Sequence, residues 1–288
     1  MRTGLLLLAA GGLFGQQVAD TEFRPPIAKP AYEQGKGPLV LIDEGHHNFH
    51  TATGRYLPFA ELLRRDGYVV KGSGAKFSTE MLRGCSVMVI SNALNEKNAN
   101  DWKPPHPSAF TQEEISALRE WLTQGGRLLL IADHMPFAGA AEELGKALGV
   151  RFENGYSVIP EIGGILVFRK PLGTLKEHAV TQDIPEIATF TGSAFQVKGP
   201  AEPLLVFGPG VVSIDPNDAS KKVPVTGYWQ GAVMRVGKGR LALFGEAAMF
   251  SAQLAGPNKI PMGMNAPAAK YNPQFLLNVM RWLTANSD

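Results

Sequence analysis

Short apolar runs alternate with amphipathic segments through the first half of the chain. The runs have the length of single strands and fall at 39–42, 68–70, 87–90 and 128–132. Helical spacing of apolar residues occurs at 56–66, 79–83, 110–124 and 138–148, and Thr111 with Glu114 has the spacing of a capping box at the start of the third of these helices. Strands that are apolar on both faces need a covering layer on each side. The alternation therefore predicts an α/β fold with a parallel sheet and helices on both faces.

The C-terminal half has a different pattern. Short strand-like segments follow one another without helical patterns between them, and Val236–Arg240 has the composition of a tight hairpin. A last helix is predicted over Asn272–Ala285. Because there is no internal repeat and no clear linker, we expect residues 38–288 to form a single α/β domain with β-rich additions in its C-terminal half.

The amino terminus has the pattern of an export signal. Met1–Arg2 provide a positive charge, and Leu5–Phe14 form an apolar segment too short to span a bilayer as a stable helix. A buried first strand is the alternative. We expect a signal peptide over 1–19, cleaved after Gly15 or Ala19, then an extended proline-containing lead-in over 20–37. The mature protein would be periplasmic or secreted by a bacterium, and no other run is apolar and long enough for a membrane span.

Composition narrows the classes of function. A net charge of +2 gives no support for nucleic-acid binding, which needs a clustered basic face. The single cysteine, Cys85, excludes an intramolecular disulfide. It lies at the start of a predicted strand, so it is expected to be a core residue rather than a nucleophile.

Acidic and histidine side chains gather where the predicted strands end. The first strand runs into Asp43-Glu44-Gly45-His46-His47-Asn48, the third into Ser91-Asn92 and the fourth into Asp133-His134, while Glu246 closes a strand of the second half. Ligands of parallel α/β sheets bind beyond the carboxyl ends of the strands. These residues are therefore expected to line one pocket.

Carboxylates and imidazoles can transfer protons near neutral pH or bind a metal. Catalytic roles are predicted for Asp133, His134, Glu44 and Glu246. A divalent metal is predicted at Asp43, His46 and His47, and zinc is the preferred candidate. Substrate contacts are predicted for Asn48, Asn92, Ser251 and Gln253. The alternative is structural: the acids would cap loops or helices, and the histidines would bond backbone carbonyls.

Three segments resemble a known group of proteins. Leu41–His50, Leu130–Phe137 and Gly245–Gln253 are similar to exported bacterial proteins of the DUF4350 type. More remotely, the order of elements resembles the class I glutamine amidotransferase-like superfamily. This resemblance covers nearly all of the chain beyond the signal and implies a flavodoxin-like sheet with a ligand pocket at the strand ends. Amidotransferases need a cysteine at the strand–helix elbow, where this chain has Asp133-His134, so glutamine hydrolysis is not expected.

The resulting expectation is an exported hydrolase-like protein, with or without a metal, that acts on a small polar or glycan-type substrate. One competing hypothesis is a non-catalytic binding module for a sugar, a cell-wall fragment or a protein partner. The other is a structural domain whose polar cluster only ties loops together.

Overall fold

The computed structural model describes residues 17–285. Its strands are β1 (Gln17–Ala19), β2 (Leu39–Asp43), β3 (Val69–Ser73), β4 (Val87–Ser91), β5 (Arg127–Ile131), β6 (Val150–Glu153), β7 (Tyr156–Val158), β8 (Ile165–Arg169), β9 (Glu186–Phe190), β10 (Ala194–Val197), β11 (Glu202–Val206), β12 (Val212–Asp215), β13 (Asp218–Pro224), β14 (Trp229–Val236), β15 (Gly239–Phe244), β16 (Ala252–Ala255) and β17 (Ile260–Gly263). Its α-helices are α1 (Leu57–Arg65), α2 (Thr79–Arg83), α3 (Gln112–Thr123), α4 (Phe137–Ala140), α5 (Glu142–Ala147) and α6 (Asn272–Thr284).

The largest sheet has nine strands. The strands β3-β2-β4-β5-β15 lie in that order, and each neighbouring pair is parallel. When these five strands are numbered in chain order from β2, their order across the sheet is 2-1-3-4-5, as in flavodoxin-like sheets. Antiparallel pairing then continues through β14, β10 and β6, with β11 also paired to β14. The parallel sheet predicted from the first half is present, but the whole sheet is mixed because strands of the second half extend it.

Helices cover both faces of the parallel strands. Side chains alternate along each strand, so neighbouring residues enter different cores. Leu129 of β5 belongs to the same core as Phe59 of α1 and Phe275 of α6. Its neighbour Leu128 belongs to the other core, with Leu118 of α3. The predicted layers are therefore present.

The helix boundaries agree with the sequence at one helix and differ at another. In α3, the Thr111 hydroxyl accepts a hydrogen bond from the Glu114 amide, and the Glu114 carboxylate accepts one from the Thr111 amide, as the predicted capping box requires. The helix predicted over 138–148 is divided at Ala141 into α4 and α5. Its apolar periodicity continues across the break, so the pattern alone did not indicate the division.

Most of the predicted signal peptide lies outside the described residues. Gln17–Ala19, which the prediction placed at its end, form β1 and pair antiparallel with β16. The Asp20 amide continues this contact by donating to the carbonyl of Ala252 at 2.9 Å. Cleavage after Gly15 would preserve β1, whereas cleavage after Ala19 would remove it. Across residues 17–285, no helix combines the length and apolar character needed to cross a membrane.

A chain that begins at residue 20 should be less stable than one that begins at residue 16. Removing β1 deletes its backbone hydrogen bonds to β16, each of which contributes about 1 kcal/mol, so we expect a loss of about 1–3 kcal/mol in the free energy of unfolding. Urea denaturation of both chains measures this difference. Val18→Thr in the longer chain is the control, because the Val18 side chain is 55% exposed. Equal stability of the two chains would show that β1 contributes nothing.

Candidate functional site

The carboxyl ends of β2, β4, β5 and β15 lie side by side at one edge of the sheet. Adjacent strands are about 5 Å apart, so groups that follow β2 lie roughly 10 Å from groups that follow β5. The predicted site residues accordingly divide into two clusters. The first surrounds His46 after β2, and the second surrounds Asp133 after β5.

In the first cluster, His46 lies between two carboxylates. Its Nδ1 is 2.9 Å from both carboxylate oxygens of Asp43, and its Nε2 is 2.9 Å from Oε1 of Glu114. The ring packs against Phe77 and Phe110, with centroid distances of 4.6 and 4.8 Å. Asp43, His46 and Glu114 are all buried. They form an internal ion network that connects the end of β2 with the first turn of α3.

The pKa values in this network favour the charged forms. Burial lowers the pKa of His46, but the hydrogen bonds and charges of Asp43 and the hydrogen bond to Glu114 outweigh it, so the pKa of His46 is raised. Burial opposes ionisation of Glu114, yet hydrogen bonds from Thr111, His46 and Phe77 hold its pKa below the ordinary value. A protonated His46 therefore donates from both ring nitrogens.

The three predicted metal ligands do not form a metal site. Both nitrogens of His46 are engaged by carboxylates, and the side chain of His47 is exposed. Over residues 17–285, no group of three or more His, Cys, Asp or Glu side chains is arranged to hold an ion. The donor set does not fit the zinc site predicted at Asp43, His46 and His47, because a His46 ring that donates from both nitrogens has no lone pair left for a metal.

Two further residues of this loop have structural contacts. Oε1 of Glu44 accepts a hydrogen bond from the Ala52 amide at 2.8 Å. A Cβ at Gly72 of β3 would lie 2.4 Å from the same oxygen, so Glu44 faces β3, on the side away from β5. The Asn48 amide group donates to Asp43 at 2.9 Å and helps to hold the loop. These contacts hold the loop, and the predicted catalytic role of Glu44 and substrate contact of Asn48 stay predictions.

In the second cluster, backbone hydrogen bonds hold Asp133 rigidly. Its Oδ1 accepts from the His134 amide at 2.7 Å, and its Oδ2 accepts from the Ala247 amide at 3.1 Å. Its own amide donates to Oδ1 of Asn92 at 3.0 Å. Asn92 has a φ of 51°, which a short polar side chain tolerates. Groups after β4, β5 and β15 are thus joined around Asp133, and Asn92 positions the backbone of this acid.

The ring of His134 has a defined orientation. Its Nδ1 is 2.8 Å from the carbonyl of Met135, so Nδ1 carries the proton and Nε2 is the basic nitrogen. Nε2 lies 3.8 Å from Oδ1 of Asp133. The ring stacks on Tyr156 of β7 with a centroid distance of 3.9 Å. Asp133 and His134 are 6% and 7% exposed, which distinguishes them from the fully buried acids of the same edge.

Glu246 supplies a second carboxyl group close to Asp133. Its oxygens accept hydrogen bonds from the amides of Ala248 and Met249 at 2.7 and 2.8 Å, which caps the short 3₁₀ helix Ala248–Phe250. Burial, and then the charge of Asp133, raise the pKa of Glu246 well above its ordinary value. Glu246 is completely buried, so its contact with a ligand would need a rearrangement.

Ser251 and Gln253 lie in the segment that enters the small sheet formed by β1, β16 and β17. The Gln253 amide donates to the Ser251 hydroxyl at 2.7 Å, and that hydroxyl donates to the carbonyl of Ala248 at 3.1 Å. These side chains therefore hold the segment after Glu246. Their predicted contacts with a substrate stay predictions.

Some residues of the two clusters were not predicted from the sequence. The sequence identifies Glu114 only as a helix cap, and nothing local connects it with His46, 68 positions away. Tyr56 enters the second cluster through its hydroxyl, which donates to the carbonyl of Ala247 at 3.0 Å. Tyr156 comes from the β-rich half. These contacts are between distant segments, so periodicity and motifs gave no signal for them.

Replacing His46 by leucine should destabilise the fold strongly. The change leaves Asp43 and Glu114 buried without their shared partner, for which we expect a loss of about 3–5 kcal/mol in the free energy of unfolding. His47→Asn is the matched control, because His47 is exposed and its φ of 46° is one that asparagine tolerates. Urea denaturation near pH 6 measures both variants. A loss below about 1 kcal/mol for His46→Leu would contradict the ion network.

The same network should make stability fall as the pH rises. The pKa of His46 is raised above the ordinary 6.5. Its contribution is therefore complete below that pH and is lost as the pH rises through the folded-state value. The lowered pKa of Glu114 acts at the acid end, where stability is lost as the pH falls below about 4.5. The difference in unfolding free energy between wild type and His46→Leu should shrink as the pH rises above about 6.5, and a constant difference would contradict the assignment.

No family model and no curated protein sequence matches the chain. Among solved structures, it is similar to the mmIFT52 N-terminal domain, with a TM-score of 0.63, 16% identity, and coverage of 86% of this chain and 99% of that one. It is also similar to the cytoplasmic protein STM3548 from Salmonella typhimurium, with a TM-score of 0.50, 16% identity, and coverage of 86% and 99%. A ThuA-like protein from Bacteroides uniformis has a TM-score of 0.49, 17% identity, and coverage of 89% and 96%. At these identities the likeness concerns the fold alone, and the mixed α/β architecture is consistent with the predicted class I glutamine amidotransferase-like fold.

Proposed function

We propose that the chain is a hydrolase-like protein whose acid–base pair, Asp133 and His134, acts on a small polar or glycan-type substrate. The observation that carries the proposal is the orientation of His134. Donation from Nδ1 to the Met135 carbonyl makes Nε2 the proton acceptor, and Nε2 lies 3.8 Å from the Asp133 carboxylate. This pair stands at the carboxyl end of a central parallel strand, where ligands of such sheets bind.

The surroundings of the pair suit proton transfer. When Nε2 takes a proton from water or a substrate hydroxyl, the resulting imidazolium is stabilised by the neighbouring Asp133 carboxylate. Backbone donors hold Asp133 in place, so no reorganisation is needed when this charge forms. The raised pKa of Glu246 limits the negative charge that would otherwise accumulate beside Asp133.

Aromatic side chains beside the pair support a ring-shaped ligand. Tyr156 stacks on His134, and the ring of Trp102 lies 6.4 Å from the same histidine. Both aromatic residues are partly exposed. Flat aromatic surfaces with a polar edge pack well against the apolar faces of sugar rings. The proposal includes export from the cytoplasm, which the sequence pattern of residues 1–15 supports. It also includes the narrower resemblance to DUF4350-type proteins.

A non-catalytic binding module is the second candidate, and a specific observation favours it. Asp43, Glu44 and Glu246 each accept backbone hydrogen bonds, so these predicted acids have structural roles. Asp133 and His134 then remain as the groups available for acid–base catalysis, fewer than the sequence predicts. In this version the edge around His134 holds the ligand without turnover.

Substitution of the proposed pair should abolish turnover without unfolding the protein. We expect His134→Gln and Asp133→Asn to lower kcat/KM by at least about 100-fold, the usual contribution of a positioned acid or base. The assay is a screen of ester, amide and glycoside substrates, with melting temperatures measured in parallel. His47→Asn, at an exposed histidine, should retain full activity.

The outcomes separate the two candidates. Ligand binding without turnover, lost in His134→Gln, would favour the binding module. Both functions would be excluded if the wild type neither bound nor turned over any substrate of the screen and if both variants melted well below it. Asp133 and His134 would then be structural residues.

A further inference from the structure

We propose that His50 and Arg55 form a subsite for an acidic group of the ligand, a carboxylate or a phosphate, beside the Asp133–His134 pair. This inference rests on the proposed function of that pair and adds the chemical class of the ligand. An acidic sugar is the simplest molecule that satisfies both parts of the site.

The first argument is the state of His50. Its side chain is 3% exposed, and neither Nδ1 nor Nε2 has a hydrogen-bond partner. A neutral imidazole has one donor and one acceptor, and leaving a buried polar group unpaired destabilises the folded state. Such a group is rare in folded proteins and needs an explanation, for which a ligand is one candidate.

The second argument is the character of the surroundings. The ring of His50 lies 4.4 Å from that of Tyr56 and 5.3 Å from that of Phe49, so aromatic groups enclose it. Burial is the largest cause of a lowered pKa of His50, and the basic side chains of Arg55 and His134 lower it further, to about 3. His50 is therefore neutral at pH 7 and carries one N–H that can donate a hydrogen bond to an anion.

The third argument is the geometry of Arg55. Its guanidinium carbon lies 3.8 Å from the centre of the Phe49 ring, and its Nη1 donates to the Phe49 carbonyl at 3.4 Å. These contacts hold the planar group in place near His50. A fixed guanidinium carries a permanent positive charge and five N–H donors, which suit a carboxylate or phosphate partner.

The fourth argument is the position in the fold. The amide of Phe49 donates to the carbonyl of Asn92 at 3.0 Å, so the loop with His50 and Arg55 crosses from β2 to the end of β4. In the 2-1-3-4-5 strand order, β2 and β4 flank the point where the order reverses, which is the usual ligand site of such sheets. An acid bound here would lie close to the Asp133–His134 pair, because His134 acts on His50 electrostatically.

Calorimetric titration of the full chain with matched sugars tests the subsite. D-glucuronate and D-glucose differ only at C6, and D-glucose 6-phosphate provides the phosphate arm. We expect glucuronate or the phosphate to bind at least about 10-fold more tightly than glucose. His50→Phe keeps a ring in the aromatic enclosure and removes both nitrogens, and it should lose this preference without a lower melting temperature. Arg55→Met should lose it too, whereas His47→Asn should behave as the wild type.

The outcomes also distinguish this inference from the proposed function. A preference for the phosphate over glucuronate, lost in both variants, would support the subsite and assign its anion. Equal binding of glucuronate and glucose, or an acid preference that survives in His50→Phe and Arg55→Met, would overturn the subsite. If neutral sugars were then still bound or turned over in a His134-dependent way, the proposed function would stand. A crystal structure with ordered water on His50 that glucuronate leaves in place would also overturn the subsite.

Discussion

The buried ion network of Asp43, His46 and Glu114 sets the course of the chain over the carboxyl edge of the sheet. It joins the end of β2 to the first turn of α3. The backbone carbonyl of His46 also accepts a hydrogen bond from the Leu94 amide at 2.8 Å. Burial of charges is costly, and a hydrophobic replacement of the whole network could be equally stable. With His46 held on both sides, the start of the loop that carries His50 and Arg55 is fixed between β2 and α3.

The two clusters show how the same residue types take different roles at one sheet edge. Asp43 and Glu246 are fully buried, and their carboxyl oxygens accept hydrogen bonds from neighbouring groups, so these side chains stabilise the fold. Asp133 is also held by backbone donors, but it borders a histidine that is slightly exposed and stacked on an aromatic ring. The difference depends on which groups surround each carboxyl. It does not depend on the residue type or on the position after a strand.

The antiparallel half of the molecule completes this edge. β15 pairs in parallel with β5 on one side and antiparallel with β14 on the other, so it is the junction of the two halves. The chain after β15 brings Glu246 and the amide of Ala247 to Asp133, while β7 brings Tyr156 against His134. The β-rich additions are therefore part of the site as well as an extension of the sheet.

The sequence alone determined the local elements and the edge at which polar groups gather. Continuous apolar runs, helical periodicity and the Thr111–Glu114 capping box depend on neighbouring residues, so they are visible in the chain itself. The shared edge followed from the rule that parallel strands end together. Only the tertiary structure decided which groups meet there. The pairing of His46 with Glu114, the stacking of His134 on Tyr156 and the lack of partners for His50 depend on distant segments, and a pattern of nearby residues contains no information about such contacts.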